Sequence, residues 1–398
     1  MSFKIANRLD AVKPSPTLAV AAKAQRMKAA GRDIISLGTG EPDFDTPENI
    51  KEAAIEAIHA GFTKYTAVDG IMELKLAIAA KFERENQLQY QPNQILVSTG
   101  AKQSIYNLCQ ALLNPGDEAL IPAPYWVSYP DMVLLAGATP KIIATDIEHR
   151  FKLTADQLEK AITPKTKLLF LNSPSNPTGI AYSLKELEAL AAVLLDHPHV
   201  IIASDDIYEH ILWKKPFINL LNACPDLHSR VVVINGVSKA YAMTGWRIGY
   251  AAGPAPLIEA MTTIQSQSTS NPCSIAQKAA VAALNGPTNA LKTMVEIFQE
   301  RHDYVAQRLQ SMSGVTFTPA DGTFYLFPQI QTLLEQGGFE NDIAFADKLL
   351  EETGLALVPG SAFGVEGYIR LSFATSMSNL EKAMDRLENF SQAICVTA

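Results

Sequence analysis

The run VVVINGVSKAYAMTGWRIGYAAG sets Lys239 just past an apolar strand, with Arg247 eight residues later at the expected start of the next strand. Alone, such a lysine is a solvated charge. One that attacks a carbonyl must first lose its proton, and burial or a nearby cation such as Arg247 lowers its pKa in that direction. Asp205 and Tyr208 end a second apolar strand, VIIASDDIY. An aspartate at a strand end commonly caps the following helix. Beside a basic ring nitrogen, its carboxylate would instead keep that nitrogen protonated, while Tyr208 donates to an oxygen of the same ring. The loop SPSNPTG holds Asn176 between two prolines after the strand KLLFLN. Its composition is that of a turn, and a stiff turn at a strand end can hold one amide against a ligand.

Two further places suit anions. The strand ILVS runs into Thr99, Gly100, Ala101 and Lys102 and then a helix, and helix starts bring free N–H groups and partial positive charge to a phosphate. In YIRLSFA, Arg370 sits among apolar residues with strand alternation. It reads either as an outward-facing arginine or as a fork for both oxygens of a carboxylate. Trp126 in PAPYWVSYP can stack on a flat ring or simply pack. Gly38 and Gly40 form a GxG, but Glu41, Pro42 and Asp43 follow where a dinucleotide-binding turn requires a third glycine and a helix, so that reading is rejected. His197 and His199 flank Pro198 with no further ligand near in sequence, and no metal site is expected.

These residues need a frame. Short β-branched runs (QILVSTG, EALIPA, KLLFLN, VIIASDD, VVVING, WRIGYAAG) alternate with helical patterns such as AKQSIYNLCQALL and SLKELEALAAVLL. The alternation predicts an α/β fold with a mostly parallel sheet covered by helices and ligands beyond the carboxyl ends of its strands. A long helix over roughly Asn285 to Met312, then GTFYLFP, a helix near Asp342 to Thr353, LALVPG, YIRLSFA and a last helix indicate a smaller α+β unit. No linker or repeat separates the two.

Composition narrows the class. Hydrophobic residues make up 47% and charged residues 19% of 398, and the net charge is −8. A chain so balanced builds a large core and presents no broad positive field, which argues against nucleic acid or an anionic membrane as its main partner. Cys109, Cys224, Cys273 and Cys395 are widely spaced, with no CxxC, and read as reduced thiols. The first residues lack a signal-peptide core, and the longest apolar run, Ala189 to Leu195, is far below spanning length, so a cytoplasmic location is expected.

Together SPSNPTG, SDDIY and SKAYAMTGWRIGY, in this order, resemble the class I aminotransferases of the pyridoxal-phosphate fold type I superfamily, over nearly the whole chain. The resemblance implies pyridoxal 5'-phosphate carried on Lys239, with Asp205 at the ring nitrogen, Asn176 and Tyr208 at the ring oxygen, and Trp126 stacked on the ring. It assigns the phosphate to Gly100, Ala101, Lys102, Ser238 and Arg247, with Tyr65 of KYTAVDG reaching in from a second subunit of a homodimer. Arg370 and Asn176 would bind the substrate's α-carboxylate, with Gly40 closing over it. It also implies a large domain over 47–290 and a small one from 1–46 with 291–398. One departure is visible: many relatives carry a serine where Gly236 stands here, so that one phosphate hydrogen bond is either missing or supplied otherwise.

The segment KPSPTLAV with TGAKQ resembles the bacterial-type aspartate aminotransferases, in which Thr17 and Lys102 meet a distal carboxylate; a buried carboxylate needs such a cation. The expected reaction moves the amino group of L-aspartate to 2-oxoglutarate by ping-pong transfer. Some members of that subgroup also accept prephenate, with Lys13 where that activity is influenced, which leaves prephenate open as a second activity. The alternatives are transfer to aromatic amino acids or alanine, a lyase on the same scaffold, and a cofactor-sensing regulator. The last would need a DNA-binding module, which neither the short stretch before Gly38 nor the net negative charge suggests.

Overall fold

The computed structural model describes residues 3–12 and 16–397. Its strands are β1 (Ile35–Ser36), β2 (Ile95–Ser98), β3 (Glu118–Ala123), β4 (Thr139–Ala144), β5 (Thr166–Asn172), β6 (Ile201–Asp205), β7 (Val231–Gly236), β8 (Gly249–Ala252), β9 (Tyr325–Leu326), β10 (Leu355–Ala356), β11 (Val358–Pro359) and β12 (Ile369–Ser372). Seven form one sheet in the order β2-β8-β7-β6-β5-β3-β4. Only β8 runs antiparallel to its neighbours, so the expected mostly parallel sheet is present.

The apolar runs explain the burial. Successive strand residues point to opposite faces. Val231, Val233, Leu169, Leu171, Ile95 and Val97 therefore enter one hydrophobic core, while Val232, Ile234, Leu168, Phe170 and Leu96 enter the core on the other face. Helices cover both sides, as an all-buried sheet requires. The helix Leu184–Asp196 opens with a capping box, in which Ser183 and Glu186 satisfy each other's backbone N–H groups.

A third core gathers Phe298, Phe324, Phe345, Phe373 and Leu380, around the helices Asn289–Gln310, Asp342–Thr353 and Met377–Thr397. Beside it lie the antiparallel sheet β11-β12-β9 and the parallel pair β1-β10. Tyr208 and Ile211, which follow β6, also pack into this core and so tie it to the large sheet.

Two local expectations need correction. The long helix begins at Asn289, because Gly286 and Pro287 end the preceding helix at Asn285; proline cannot donate to the helical ladder. Arg247 does not start a strand. It sits in the left-handed region at φ 58°, after a short turn Thr244–Trp246 and two residues ahead of β8.

The strand order decides where chemistry collects. β5, β6 and β7 lie side by side and parallel, with Asn172 paired to Asp205 across the sheet. Their carboxyl ends thus bring Asn176, Asp205 and Lys239 to one edge.

Candidate active site

Beyond that edge lies a cavity of about 290 Å³ lined by Lys239, Asp205, Tyr208, Asn176, Arg247 and Arg370, together with Gly40, Ala101, Lys102, Trp126 and Ser238. Lys239 stands in the turn after β7. Its Nζ donates to the Gly40 carbonyl at 2.5 Å. Burial lowers its pKa to about 8, against the pull of Glu41 and with help from Arg370 and Arg247. The amine is therefore neutral in a useful fraction near physiological pH, as a nucleophile or base must be.

Asp205 ends β6 and is 5% exposed. The Tyr129 hydroxyl donates to its Oδ2 at 2.5 Å and the Ile207 N–H to its Oδ1 at 3.4 Å. Burial pushes its pKa up to about 6 in spite of these bonds. Among the described residues no cation lies within ion-pair distance of it. A carboxylate so withdrawn from water gains strongly from a cationic N–H partner.

Arg370, on β12, is 3% exposed, so the outward-facing reading fails. Its Nη1 donates to Asn176 Oδ1 at 2.9 Å and its Nη2 to the Gly38 carbonyl at 2.7 Å, while Nε has no partner. The guanidinium lies over the Tyr325 ring at 4.5 Å and near the Phe363 ring at 4.9 Å. Asn176 is held in turn by its own N–H, which donates to Asn172 Oδ1 at 2.9 Å. The Tyr208 and Tyr325 hydroxyls share a hydrogen bond of 3.0 Å.

At the other end the helix Ala101–Leu112 points its first turn at the cavity. Gly100 precedes it at φ 83°, and a side chain there would collide with the Arg247 guanidinium. Arg247 is anchored by the carbonyls of Thr244 and Thr99 at 2.9 and 3.5 Å. Free helix N–H groups, the Ser238 hydroxyl and Arg247 thus converge on one spot suited to an anion. Lys102 is exposed at the mouth, its Nζ 4.9 Å from the Trp126 ring. A serine in place of Gly236 would press on Gly249 and the Ile248 carbonyl, each 3.0 Å from its Cβ.

Of the other expected residues, Tyr65 is not brought to the cavity by this chain. Tyr65 is 92% exposed and borders a separate hollow with Ser270 and Asn271. Thr17 lies in the helix Pro16–Ala29, its side chain outside the described residues, as is the whole of Lys13. Sequence reasoning passed over Tyr129, Asn172 and Tyr325. All three stand inside motifs singled out for other members, PAPYWVSYP, KLLFLN and GTFYLFP. The available signal was a polar group in an otherwise buried run, which must find a partner.

Comparison with known proteins decides the family. The model named "Aminotransferase class I and II" matches residues 32–387. The chain belongs to this family. It is 58% identical over 392 residues to the aspartate/prephenate aminotransferase of Nitrosomonas europaea, covering 97% of this chain and 99% of the relative. It is 57% identical to the enzyme of the same name from Cereibacter sphaeroides, covering 98% and 99%. The aspartate aminotransferase of Rhizobium meliloti superposes with a TM-score of 0.95 at 48% identity, covering 98% of this chain and 99% of that one. The Thermus thermophilus aspartate aminotransferase, solved with maleate, gives 0.92 at 41% identity, covering 98% and 100%.

As a class I aminotransferase the protein is an enzyme that uses pyridoxal 5'-phosphate. The residues present fit that group. Asp205 lacks a cation that a protonated pyridine nitrogen supplies, Gly100 leaves room for Arg247 beside the helix start where a phosphate would rest, and Lys239 offers an amine of lowered pKa to an aldehyde. No helix among the described residues is long and apolar enough to cross a membrane.

Proposed function

We propose that this aminotransferase moves the amino group of L-aspartate to 2-oxoglutarate by a ping-pong sequence, in which oxaloacetate leaves before the second substrate binds. The observation that carries the choice of a dicarboxylate is the pairing of two cations on one cavity. Buried Arg370 offers a fork with an unpartnered Nε, and Lys102 stands at the mouth beside Trp126. A four-carbon diacid can satisfy both. The names of the relatives, and the maleate of the Thermus enzyme, support this reading.

Lys239 would carry pyridoxal phosphate, with Asp205 at its ring nitrogen, Asn176 and Tyr208 at its ring oxygen, Trp126 over its face, and Gly100, Ala101, Lys102, Ser238 and Arg247 around its phosphate. When bound, it supplies an aldehyde that accepts the amino group and an electron-withdrawing ring that acidifies the substrate's Cα–H. Arg370 and Asn176 hold the α-carboxylate, and Gly40 closes over it. The Lys239 Nζ, once displaced by the substrate's amine, is the base that takes the Cα proton. Tyr325 under the guanidinium and Tyr129 behind Asp205 hold these groups in place.

The working unit is read as a homodimer, in which exposed Tyr65 reaches the partner's phosphate. The chain divides into a cofactor-binding part over 47–290 and a smaller part from 1–46 with 291–398. Prephenate as a further amino acceptor is the second reading, favoured by the names of the relatives.

A panel of aspartate, glutamate, alanine, tyrosine and prephenate tests the proposal. The expected result is a kcat/KM for aspartate at least about tenfold above alanine and tyrosine, which is about 1.4 kcal/mol at the transition state. The reverse order overturns the dicarboxylate reading. Lys239→Ala is expected to abolish turnover and the visible absorbance of the bound cofactor, and a variant that kept both would overturn the role of Lys239.

A further inference from the structure

Tyr129 opens the short helix Tyr129–Leu135 and is 2% exposed. Its ring is stacked on Phe170 of β5, with centroids 4.6 Å apart and planes at 17°. It also meets the edge of Trp126 at 5.3 Å and 83°. Two aromatic contacts leave the phenol one direction to point, and in that direction lies Asp205 Oδ2, 2.5 Å away. That is the short length of a hydrogen bond to a charged oxygen. The strand beside it completes the frame, since Asn172, two residues after Phe170, donates its side-chain amide to the Asp205 carbonyl at 2.8 Å.

We propose that Tyr129 is a positioning residue, which fixes Asp205 so that it meets the ring nitrogen of the bound cofactor as an anion; this rests on the assignment of Asp205 made above. The direction of the proton follows from the surroundings. Burial, with the Asp205 charge added, holds the Tyr129 phenol above its ordinary pKa, so the phenol donates and the carboxylate accepts. Burial alone drives Asp205 toward its neutral form, and the Tyr129 bond is the largest effect opposing it. A neutral Asp205 would leave the ring nitrogen unprotonated and its electron withdrawal weak. Tyr129 also braces Trp126, so one side chain sets both the edge and the face that the ring meets.

Tyr129→Phe removes one hydroxyl and keeps the stacking. In the holoenzyme, the nitrogen NMR shift of ring-labelled pyridoxal phosphate is expected to move toward the unprotonated value. The cofactor Kd should rise about tenfold and kcat with aspartate should fall about tenfold, the scale of one lost charge-assisted hydrogen bond. In an Asp205→Asn chain the same substitution should change Kd and kcat less than about twofold, because its target is gone. Phe170→Leu, which loosens the stack but keeps the hydroxyl, should move the nitrogen shift less than half as far. An unmoved shift in Tyr129→Phe overturns the proposal, as do equal losses in both backgrounds or a shift in Phe170→Leu equal to that in Tyr129→Phe. A wild-type protein that retained no pyridoxal phosphate would overturn the assignment of Asp205 itself, and the proposal with it.

Discussion

Lys239 Nζ and the carbonyl oxygen of Gly40 lie 2.5 Å apart, so the amine at the end of β7 is tied to the N-terminal segment crossing the cavity. Arg370 is tied to the same segment through the Gly38 carbonyl at 2.7 Å. The reacting amine and the carboxylate-binding guanidinium are thus held by backbone oxygens, which orient them without forming the full ion pairs that substrate would have to break.

The lowered pKa of Lys239, about 8 through burial, gives a signed prediction. Below that value the amine is mostly protonated and cannot attack an aldehyde, and above it the amine is mostly neutral. Uptake of pyridoxal phosphate by the cofactor-free protein should therefore accelerate about tenfold per pH unit from about pH 6 and level off above about 8. Stopped-flow absorbance measures it, and a rate that kept rising about tenfold per pH unit beyond about pH 8 and levelled off only in the ordinary lysine range would show that the amine is not depressed.

Arg370→Lys keeps the charge and loses the fork. Lysine cannot offer two parallel N–H groups or lie flat on Tyr325. The kcat/KM for every amino acid should fall about a hundredfold, or about 2.7 kcal/mol, whatever the side chain of the substrate. A loss under tenfold would mean that the α-carboxylate binds elsewhere.

The sheet was legible because its strands are continuous apolar runs with turn residues between them, and burial on both faces leaves no other reading for VVVIN or KLLFL. The site was legible only as a set. Lys239, Asp205 and Asn176 are each ordinary alone, and parallel neighbours in the sheet make them adjacent. What the sequence hides is partnership across distance. The approach of Tyr129 to Asp205, separated by 76 residues, and of Tyr325 to Tyr208, separated by 117, depends on packing that no local pattern encodes. Arg247 was misplaced for a related reason. Its left-handed backbone depends on its anchors at Thr244 and Thr99, against the usual preference of a residue with a side chain.

Lys102 bears on substrate choice. If its ammonium meets the distal carboxylate, Lys102→Gln should lower kcat/KM for aspartate about tenfold more than for alanine, which has no second carboxylate. Equal losses for both would assign Lys102 to the cofactor alone. Steady-state kinetics with the two amino acids and a common oxo acid decide between these.

A last prediction concerns the rear of the site. Among the described residues, the group of carboxylates and histidine close enough to share one cation is Glu85, Glu209 and His210, and the ammonium of Lys81 already lies in it. Lys81 is fully buried and bonds Glu209 and, at 2.7 Å, Asn86 Oδ1. Glu209 also accepts from Asn86 at 2.8 Å and from Asn235 of β7 at 2.7 Å. Since Glu209 follows Tyr208 directly, and Asn235 precedes Lys239 by four residues, this network braces both chain segments from behind. Lys81→Met strands a buried carboxylate and should cost about 3–5 kcal/mol of stability. Adding Glu209→Gln removes the stranded charge and should restore more than half of that loss, because the amide oxygen can still accept from Asn235 and the amide NH2 can donate to Asn86 Oδ1, freed by the loss of Lys81, once the Asn86 amide turns over. Urea unfolding of the wild type, the single variant and the double variant measures both steps. A single variant within about 1 kcal/mol of wild type would show that the pair contributes little. A double variant no better than the single would show that the loss comes from packing rather than from the uncompensated charge.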